Sequence, residues 1–339
     1  MTRGAFGLMC VRTILGWLLV AALMSGCAGP GQPTISPDLG ETRVAPSARV
    51  LLTVEPTVTL MAIASTASTP TATLWPTATS TAIATLLPTA TLSPTASPTC
   101  TPGPTPDGVA RTLHVPILMY HYISSPPADA DVYRRDLSVT PAQFESHLKY
   151  LVDAGYHVIT LDDLLYALAQ GRELPAQPVI LTFDDGYEDN FTNAFPLLRT
   201  YNMVGHFFVI SDFVNQERPG YMTWSQIEEM AAAGQRFGSH SRDHPNLNGK
   251  SDDYLVWQAL GGKEALAEHL GQHPHWISYP AGQYGDRTIA VYKSAGYWGG
   301  LTTQQGTTHT LDDIFELQRV RVRGSHTAED LGRLLELDW

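Results

Sequence analysis

Short apolar runs alternate with amphipathic stretches between residues 115 and 303 of this 339-residue chain. A run of four to six apolar residues, bounded by polar or glycine positions, is typical of a strand buried on both faces. Residues 115–120 (Val-Pro-Ile-Leu-Met-Tyr) and 179–183 (Val-Ile-Leu-Thr-Phe) show this pattern most clearly. Further strands are predicted at 157–160, 205–210, 236–240, 275–279 and 297–303.

The amphipathic stretches between these strands begin and end with helix signals. Thr140 and Thr223 are each followed three residues later by glutamine, which is the pattern of a capping box. The helices that they open are expected to end at Gly155 and Gly234, because glycine readily adopts the left-handed conformation that follows a helix. Further helices are predicted at 161–170, 190–201, 252–270 and 286–295.

Strands and helices that alternate in this way predict an α/β fold with a parallel sheet, either closed into a barrel or left open. In both architectures, functional groups collect where strands end and loops begin. Asp184 and Asp185 directly follow one predicted strand, and His240 ends another. The pattern therefore places a candidate site at the carboxyl ends of the strands.

Composition divides the chain into three parts. In residues 1–27, Arg3 and Arg12 accompany an apolar run that ends at Met24 and is followed by Ser-Gly-Cys27, which resembles a lipoprotein signal with Cys27 as the lipidated residue. An ordinary signal peptide or an uncleaved anchor is the alternative. Residues 28–108 are rich in proline, threonine and alanine, with repeated Pro-Thr-Ala-Thr, and are predicted to form a disordered linker. The folded domain is predicted at 109–339.

Charge and cysteine content limit what this domain can bind. It contains 29 acidic and 17 basic residues, a balance that argues against nucleic acid and against direct binding to anionic lipid. The domain contains no cysteine, because Cys10, Cys27 and Cys100 all precede residue 109. Neither a disulfide framework nor a thiolate metal site is available there. The twelve histidines all lie within it.

Two short motifs in the domain carry metal-ligand chemistry. Residues 182–186 read Thr-Phe-Asp-Asp-Gly, and residues 240–244 read His-Ser-Arg-Asp-His. Alone, the first is an ordinary turn and the second is more often a pair of surface or core histidines. Together, at strand ends, they supply two imidazoles and one carboxylate for a metal and leave a second carboxylate for proton transfer. Pro245 prevents a continuous helix from running onward, which predicts that the histidine pair lies on a turn or at a helix start.

These motifs resemble the first two motifs of the polysaccharide deacetylases, carbohydrate esterase family 4. Leu118-Met119-Tyr120-His121 and Tyr279-Pro280-Ala281-Gly282 are similar to the secreted bacterial branch of that family, and the resemblance covers roughly 111–323. It implies a distorted (β/α) barrel. It also implies metal-dependent removal of acetyl groups from N-acetylated sugars or, in some members, O-acetyl groups from xylan.

The resemblance assigns roles to individual residues. Asp185, His240 and His244 would be the metal ligands, a donor set that suits Zn²⁺. Asp184 would be the general base, and the backbone N–H of Ala281 would help to hold the oxyanion. The expected partner is an envelope or extracellular polysaccharide, acted on by a monomer that the lipid at Cys27 attaches to the outer side of a membrane.

The sequence departs from the family pattern at three points. Ser278 occupies the position of the family's arginine, and Arg319, Arg321 or Arg323 is expected to replace it. The usual Asp-Trp motif is replaced by Tyr-Trp-Gly-Gly at 297–300. The histidine that serves as general acid has no clear counterpart, and the candidates are His326, His309 and His121.

These departures leave two other hypotheses open. One is a catalytically impaired protein that binds metal and carbohydrate in the cell envelope, and the other is a metal hydrolase of the same fold that acts on a different amide or ester. His206 is interpreted as a core residue rather than a catalytic one. Aromatic residues near the motifs are candidates for stacking on a sugar or for packing in the core: Tyr187, Tyr279, Tyr284 and Trp298.

Overall fold

The computed structural model describes residues 102–337, and within them a seven-stranded parallel barrel carries the candidate motifs. The predicted signal, Cys27 and almost all of the predicted linker lie outside the described residues. Strands β2 and β4 pair along Ile117–Tyr120 and Ile180–Phe183, and this pairing closes the sheet on itself. Around the barrel the order is β2-β10-β8-β7-β6-β5-β4 and back to β2, with every pair parallel. The barrel strands are β2 (Ile117–Tyr120), β4 (Pro178–Phe183), β5 (Gly205–Val209), β6 (Arg236–Ser239), β7 (Trp276–Ser278), β8 (Gly299–Gln305) and β10 (Leu317–Arg321).

Three short strands lie outside this ring. The two-residue strand β3 (His157–Val158) pairs with the first residues of β4, beside the segment that β2 occupies. Strands β1 (Thr112–His114) and β9 (Thr308–Thr310) form a separate antiparallel ribbon. Neither ribbon strand is predicted from the sequence, because three residues are too few to show a period.

Helices surround the barrel and connect most of its strands. Threonine side chains accept hydrogen bonds from backbone N–H groups at the starts of the helices at 141, 161 and 224, in complete capping boxes. The short helices α1 and α5 and the final helix α9 are not among those predicted. The helices are α1 (Val132–Asp136), α2 (Pro141–Asp153), α3 (Leu161–Gln170), α4 (Phe195–Thr200), α5 (Ser211–Asn215), α6 (Trp224–Ala232), α7 (Asp252–Leu270), α8 (Asp286–Ser294) and α9 (Ala328–Leu335), with a π-helical turn at Asn190–Ala194.

Alternation along β4 shows how the barrel divides its two faces. Leu181 and Phe183 belong to a buried cluster that also contains Phe144 and Leu148 of α2, so this face packs against the helices. Thr182 and Asp184 point the other way, into the barrel, where both contact Arg319. Because side chains on a strand alternate, the last inward position of β4 is followed directly by the motif. The strand therefore delivers a carboxylate to the top of the barrel interior.

The chain enters the domain at the opposite end of the barrel. The backbone N–H of Asp107 donates to the carbonyl of Ala169 near the end of α3, and Gln170 donates to the carbonyl of Thr105. Gly103 lies against the indole of Trp298, which directly precedes β8. These contacts are all at the amino ends of the strands. Among residues 102–337, no helix has the length and apolar character needed to span a membrane.

His206 makes the stability of the barrel depend on pH. Its Nε2 accepts a hydrogen bond from the Leu161 N–H, and burial lowers the pKa of His206 to about 4. An unfolded histidine binds its proton near pH 6.5, so the neutral native form is favoured above that pH and loses its advantage as pH falls toward 4. We expect the free energy of unfolding to decrease by about 3 kcal/mol across this window on account of this residue.

The variant His206→Gln tests this expectation, because its amide oxygen can still accept the Leu161 N–H but does not titrate. Urea unfolding at pH 7.5 and pH 4.5 should show a smaller difference for the variant than for the original protein. His309, whose burial also lowers its pKa to about 4, remains in both proteins and cancels in the comparison. Equal pH dependence in the two proteins would contradict the assignment.

Candidate active site

A cleft of about 360 Å³ opens at the carboxyl ends of the barrel strands. Every strand of the ring contributes a residue to its lining, either from the strand itself or from the loop that follows it. Since parallel strands all end at one face, a closed barrel gathers these residues from distant parts of the chain. The contributors from the seven strands are His121, Asp184 and Asp185, Ile210, His240 and His244, Ala281, Thr303, and Arg321.

Asp185, His240 and His244 lie together in this cleft. The Nε2 atoms of His240 and His244 are 3.2 Å and 3.4 Å from the same Asp185 carboxylate oxygen, Oδ1. One ligand atom from each residue falls within 4.8 Å of the other two, and no other group of this kind is found among residues 102–337. The three residues that the sequence predicts as metal ligands are thus close enough together to bind one metal ion.

The protonation of this group fits a metal ion. His240 Nδ1 donates to the carbonyl oxygen of Ser278 at 2.7 Å, so Nε2 is the nitrogen that faces Asp185, and a bound metal would take the place of the proton that Nε2 shares with that carboxylate. Burial would raise the pKa of the Asp185 carboxyl, but the hydrogen bond and charge of His240 outweigh it and hold that pKa well below its usual range. Two imidazole nitrogens and an ionised carboxylate form a three-ligand set with open positions, as in catalytic zinc sites.

The backbone around these residues is held in unfavourable conformations. Seven non-glycine residues of the described chain have positive φ, and four of them border the cleft: Asp185 (73°), Ser241 (64°), His244 (61°) and Ala281 (51°). Such conformations persist only where surrounding contacts enforce them, and they concentrate at functional sites. Next to Asp185, Gly186 also has positive φ, and a Cβ there would approach Val209 to 2.9 Å. The motif glycine is therefore required by both conformation and space.

Asp184 is held by a fully buried ion pair with Arg319 of β10. The guanidinium donates from Nη1 to Asp184 Oδ1 at 2.9 Å and from Nη2 to Oδ2 at 2.7 Å. Its remaining donors reach the carbonyl of Thr302 and the hydroxyls of Thr182 and Ser278. Burial alone would raise the pKa of Asp184, yet the charge of Arg319 outweighs it and lowers that pKa to about 2. Arg319 thus makes the contact for which the sequence left three candidates.

The other two late arginines are engaged elsewhere. Arg321 and Arg323 both pair with Asp136, at 2.9 Å and 2.8 Å, beyond the end of the barrel interior. Ser278, where the family has its arginine, is also part of the site. Its hydroxyl donates to Asp184 Oδ2 at 3.2 Å and its carbonyl accepts from His240. The small serine side chain leaves space that the Arg319 side chain occupies from β10, two strands away in the ring.

Helix α7 supports the loop that carries both histidines. Gln258, which is fully buried, accepts the N–H groups of Arg242 and Asp243 on Oε1 and donates from Nε2 to the Asp243 carboxylate. One turn later, a Cβ on Gly262 would meet the Ser239 hydroxyl at 2.4 Å. The loop and helix are therefore in direct contact, and one amide side chain fixes two of the three residues between the histidines. The residues 240–244 lie in a loop, as Pro245 predicts.

Of the three histidines considered as general acid, only His121 lines the cleft. It follows β2 directly, and its Nδ1 is buried without a hydrogen-bond partner. His309 lies in the β1–β9 ribbon and bonds through Nε2 to the carbonyl of Val115. His326 Nδ1 accepts the N–H of Arg323, and the carbonyl of His326 is bonded to His147. The barrel thus brings His121, and not the other two, to the carboxylates.

The aromatic candidates are distributed differently from the sequence expectation. Tyr187 lines the cleft and stacks on Tyr122, with ring centroids 3.6 Å apart. Tyr279 is buried against Tyr284, and Trp298 stacks on His275 at the far end of the barrel, so these three do not border the cleft. Sequence reasoning missed two other lining residues, Phe213 and Tyr221, because they lie in a short helix and an irregular loop without a motif.

Comparisons with known proteins agree with this arrangement. The model of the polysaccharide deacetylase family matches residues 171–299, which contain both motifs. YxkH of Bacillus subtilis (strain 168), whose name assigns it to the polysaccharide deacetylases, is 33% identical over 222 residues, covering 66% of this chain and 76% of that protein. The poly-β-1,6-N-acetyl-D-glucosamine N-deacetylase of Staphylococcus aureus (strain MRSA252) is 26% identical over 200 residues, covering 56% and 69% of the two chains.

Among solved structures, the Streptococcus pyogenes deacetylase PplD in complex with acetate is similar with a TM-score of 0.62 at 28% identity, covering 67% of this chain and 100% of that one. The chain belongs to the polysaccharide deacetylase family, the hydrolases of carbohydrate esterase family 4. The distorted (β/α) barrel implied by the sequence resemblance is confirmed.

The Arg319–Asp184 pair yields a prediction about stability. Arg319→Met leaves a buried carboxylate without its counter-charge, and we expect the free energy of unfolding to fall by about 3–5 kcal/mol. Adding Asp184→Asn to the same chain removes the stranded charge and should recover part of that loss. Urea unfolding of both variants measures the effect. A double variant no more stable than the single one would show that the pair is not what holds this site together.

Gln258 yields a prediction about metal affinity. We expect Gln258→Ala to weaken zinc binding by about tenfold or more, because the histidine loop loses three hydrogen bonds that fix its shape. Gln235 is the matched control, since its buried amide likewise bridges two backbone groups, Gly205 N–H and the Met203 carbonyl, but at the other end of the barrel. Competition with a chromogenic chelator measures the affinity. Equal zinc affinity in Gln258→Ala and Gln235→Ala would contradict the assignment.

Proposed function

We propose that this protein removes acetyl groups from an N-acetylated, or O-acetylated, polysaccharide of the cell envelope or its surroundings, with a divalent metal held by Asp185, His240 and His244. The observation that carries the proposal is the convergence in one cleft of this ligand set with the ionised, arginine-paired Asp184. Zn²⁺ suits the two nitrogens and one oxygen best. A metal bound there would lower the pKa of a water molecule and polarise the acetyl carbonyl.

In this proposal Asp184 acts as the general base. Its neighbour Asp185 is committed to the two histidines, whereas Asp184 lines the cleft and remains ionised at neutral pH because Arg319 lowers its pKa. Arg319 also holds both oxygens of the carboxylate, so the group that receives the proton from the attacking water has a fixed position. Fixed geometry of this kind is a main source of catalytic efficiency in proton transfer.

Two further residues complete the proposed reaction. The backbone N–H of Ala281 donates to the oxyanion that develops on the acetyl carbonyl oxygen, and the positive φ of Ala281 turns this peptide at the rim of the cleft. His121 donates a proton to the departing amine. Burial lowers the pKa of His121, and the nearby Asp185 and Asp184 carboxylates act against that change. Asn190 donates to the His121 carbonyl and positions its backbone.

The hypothesis of a catalytically impaired binding protein rested on a missing arginine and a missing histidine. Arg319 contacts the carboxylate that the family's arginine would contact, and His121 stands in the cleft. Both gaps in the sequence pattern therefore have a spatial counterpart. These observations favour the enzyme.

Two supporting features point to the setting of the reaction. The similarity to the Staphylococcus aureus N-deacetylase makes a polymer of N-acetylglucosamine the first substrate to test. The lipobox-like Ser-Gly-Cys27 and the proline-rich segment that follows support a monomer tethered to the outer side of a membrane. If Cys27 is not lipidated, the protein is secreted.

Acetate release tests the proposal. We expect the zinc-loaded full-length protein to release acetate from at least one of four substrates: chitin oligomers, poly-N-acetylglucosamine, peptidoglycan and acetylxylan. Asp184→Asn should reduce kcat by about 10²–10⁴-fold because the base is lost, measured on variant protein whose circular dichroism spectrum matches that of the original. Asp153→Asn, which alters an exposed carboxylate paired with Lys149, is the control and should leave kcat unchanged. Full activity of Asp184→Asn, or no acetate from any substrate, would refute the proposal.

A further inference from the structure

An exposed aromatic patch borders the histidine loop. Helix α7 begins at the same end of the barrel as the cleft, since it follows the loop at 240–244 and leads back to the start of β7. In its second and third turns Val256, Trp257 and Leu260 are 39%, 43% and 37% exposed. Tyr254 lies beside Trp257, with ring centroids 5.7 Å apart. We call these four residues the α7 patch.

Side-chain contacts of Arg242 connect the α7 patch to residues beside the cleft. This residue lies between the two histidines in sequence, and its side chain runs along α7, where a Cβ on Gly261 would meet its Cδ at 2.8 Å. Its guanidinium sits 4.4 Å from the centre of the Trp257 ring and pairs with Asp212 at 3.1 Å. Asp212 in turn precedes Phe213, which lines the cleft. A series of neighbouring residues therefore leads from Phe213 in the cleft, through Asp212 and Arg242, to Trp257.

We propose that the α7 patch is a subsite for the polysaccharide itself, binding sugar units several positions away from the one being deacetylated. This inference rests on the proposed function, because only a polymer that enters the cleft extends across the neighbouring surface. Pyranose rings have an apolar face of C–H groups that packs on aromatic rings, and the indole N–H can donate to their hydroxyls. The Arg242 guanidinium, held by Asp212, fixes one side of the Trp257 ring.

Charge and area both favour a polysaccharide over other occupants. Deacetylation converts the polymer into a polyamine, and a domain with 29 acidic and 17 basic residues attracts such a chain while repelling nucleic acid and anionic lipid. Four side chains offer on the order of a few hundred Å², less than the roughly 600 Å² that each copy of the chain would bury in the smallest stable interfaces between two copies. The patch is the right size for a small number of sugars.

The dependence of activity on chain length tests the subsite. Trp257→Ala should reduce kcat/KM for a hexamer of N-acetylglucosamine by roughly three- to tenfold, mainly through KM, and leave the value for a dimer unchanged within twofold. Hexamers and dimers with β-1,4 and with β-1,6 linkages are the substrates. Trp257→Phe keeps an aromatic ring and should retain most of the hexamer preference. Tyr133→Ala, which removes an aromatic side chain that is 74% exposed on α1, is the control and should change neither value.

Two additional measurements separate this inference from its alternatives. Calorimetric binding of the hexamer to the full-length protein does not require turnover, so loss of affinity in Trp257→Ala would support the subsite even if no acetate were released. Equal hexamer affinity in Trp257→Ala and the original protein would overturn it. Light scattering tests the other occupant. A dimer that Trp257→Ala converts to a monomer would show that the patch joins two copies, and would also overturn the subsite.

Discussion

The site depends on a single buried ion pair, between Arg319 and Asp184, inside the mouth of the barrel. A charged guanidinium and a charged carboxylate are expensive to remove from water, and the pair is tolerated because every donor of Arg319 has an acceptor. The acceptors come from β4, β7 and β8 and the arginine from β10, so the pair connects four of the barrel strands. The proposed metal ligands are tied to this pair: Asp185 is the next residue in the chain, and His240 is bonded to the same Ser278 that contacts the pair.

The second constraint is conformational. Asp185, in the loop after β4, and Ser241 and His244, in the loop after β6, have positive φ, and loops that contain such residues need contacts from outside to hold their shape. Ser241 receives the His244 N–H on its hydroxyl and donates its own N–H to Ser239, while Gln258 holds the residues between the histidines. Helix α7 thus holds the histidine loop in position through Gln258, and β10 holds Asp184 in position through Arg319. Each half of the site has an external support, and neither support contains a residue of the recognised motifs.

This division explains what the sequence could and could not predict. Apolar runs and capping boxes predicted most of the barrel strands and long helices, because those signals are local. The motifs predicted the grouping of Asp185, His240 and His244, since strand ends meet at one face of a parallel sheet. Arg319 and Arg321 share one face of β10, and Arg323 lies two residues beyond its end. Only their height relative to Asp184 distinguishes the three, and this depends on the register between strands that are far apart in sequence. For the same reason, the sequence could not show which of His121, His309 and His326 lies near the carboxylates. Trp298 is a residue type that often binds sugars, but the sequence alone does not show that it lies at the opposite end of the barrel from the cleft.

The contacts of residues 103–107 have a mechanical consequence. The polypeptide joins the domain beside Ala169 and Trp298, at the amino ends of the strands, and the cleft opens at their carboxyl ends. A force applied to the chain at residues 103–107 therefore acts on the amino ends of the strands and not on the loops that carry the candidate site. The point where the chain joins the barrel and the cleft that carries the candidate site therefore lie at opposite ends of the same ring of strands.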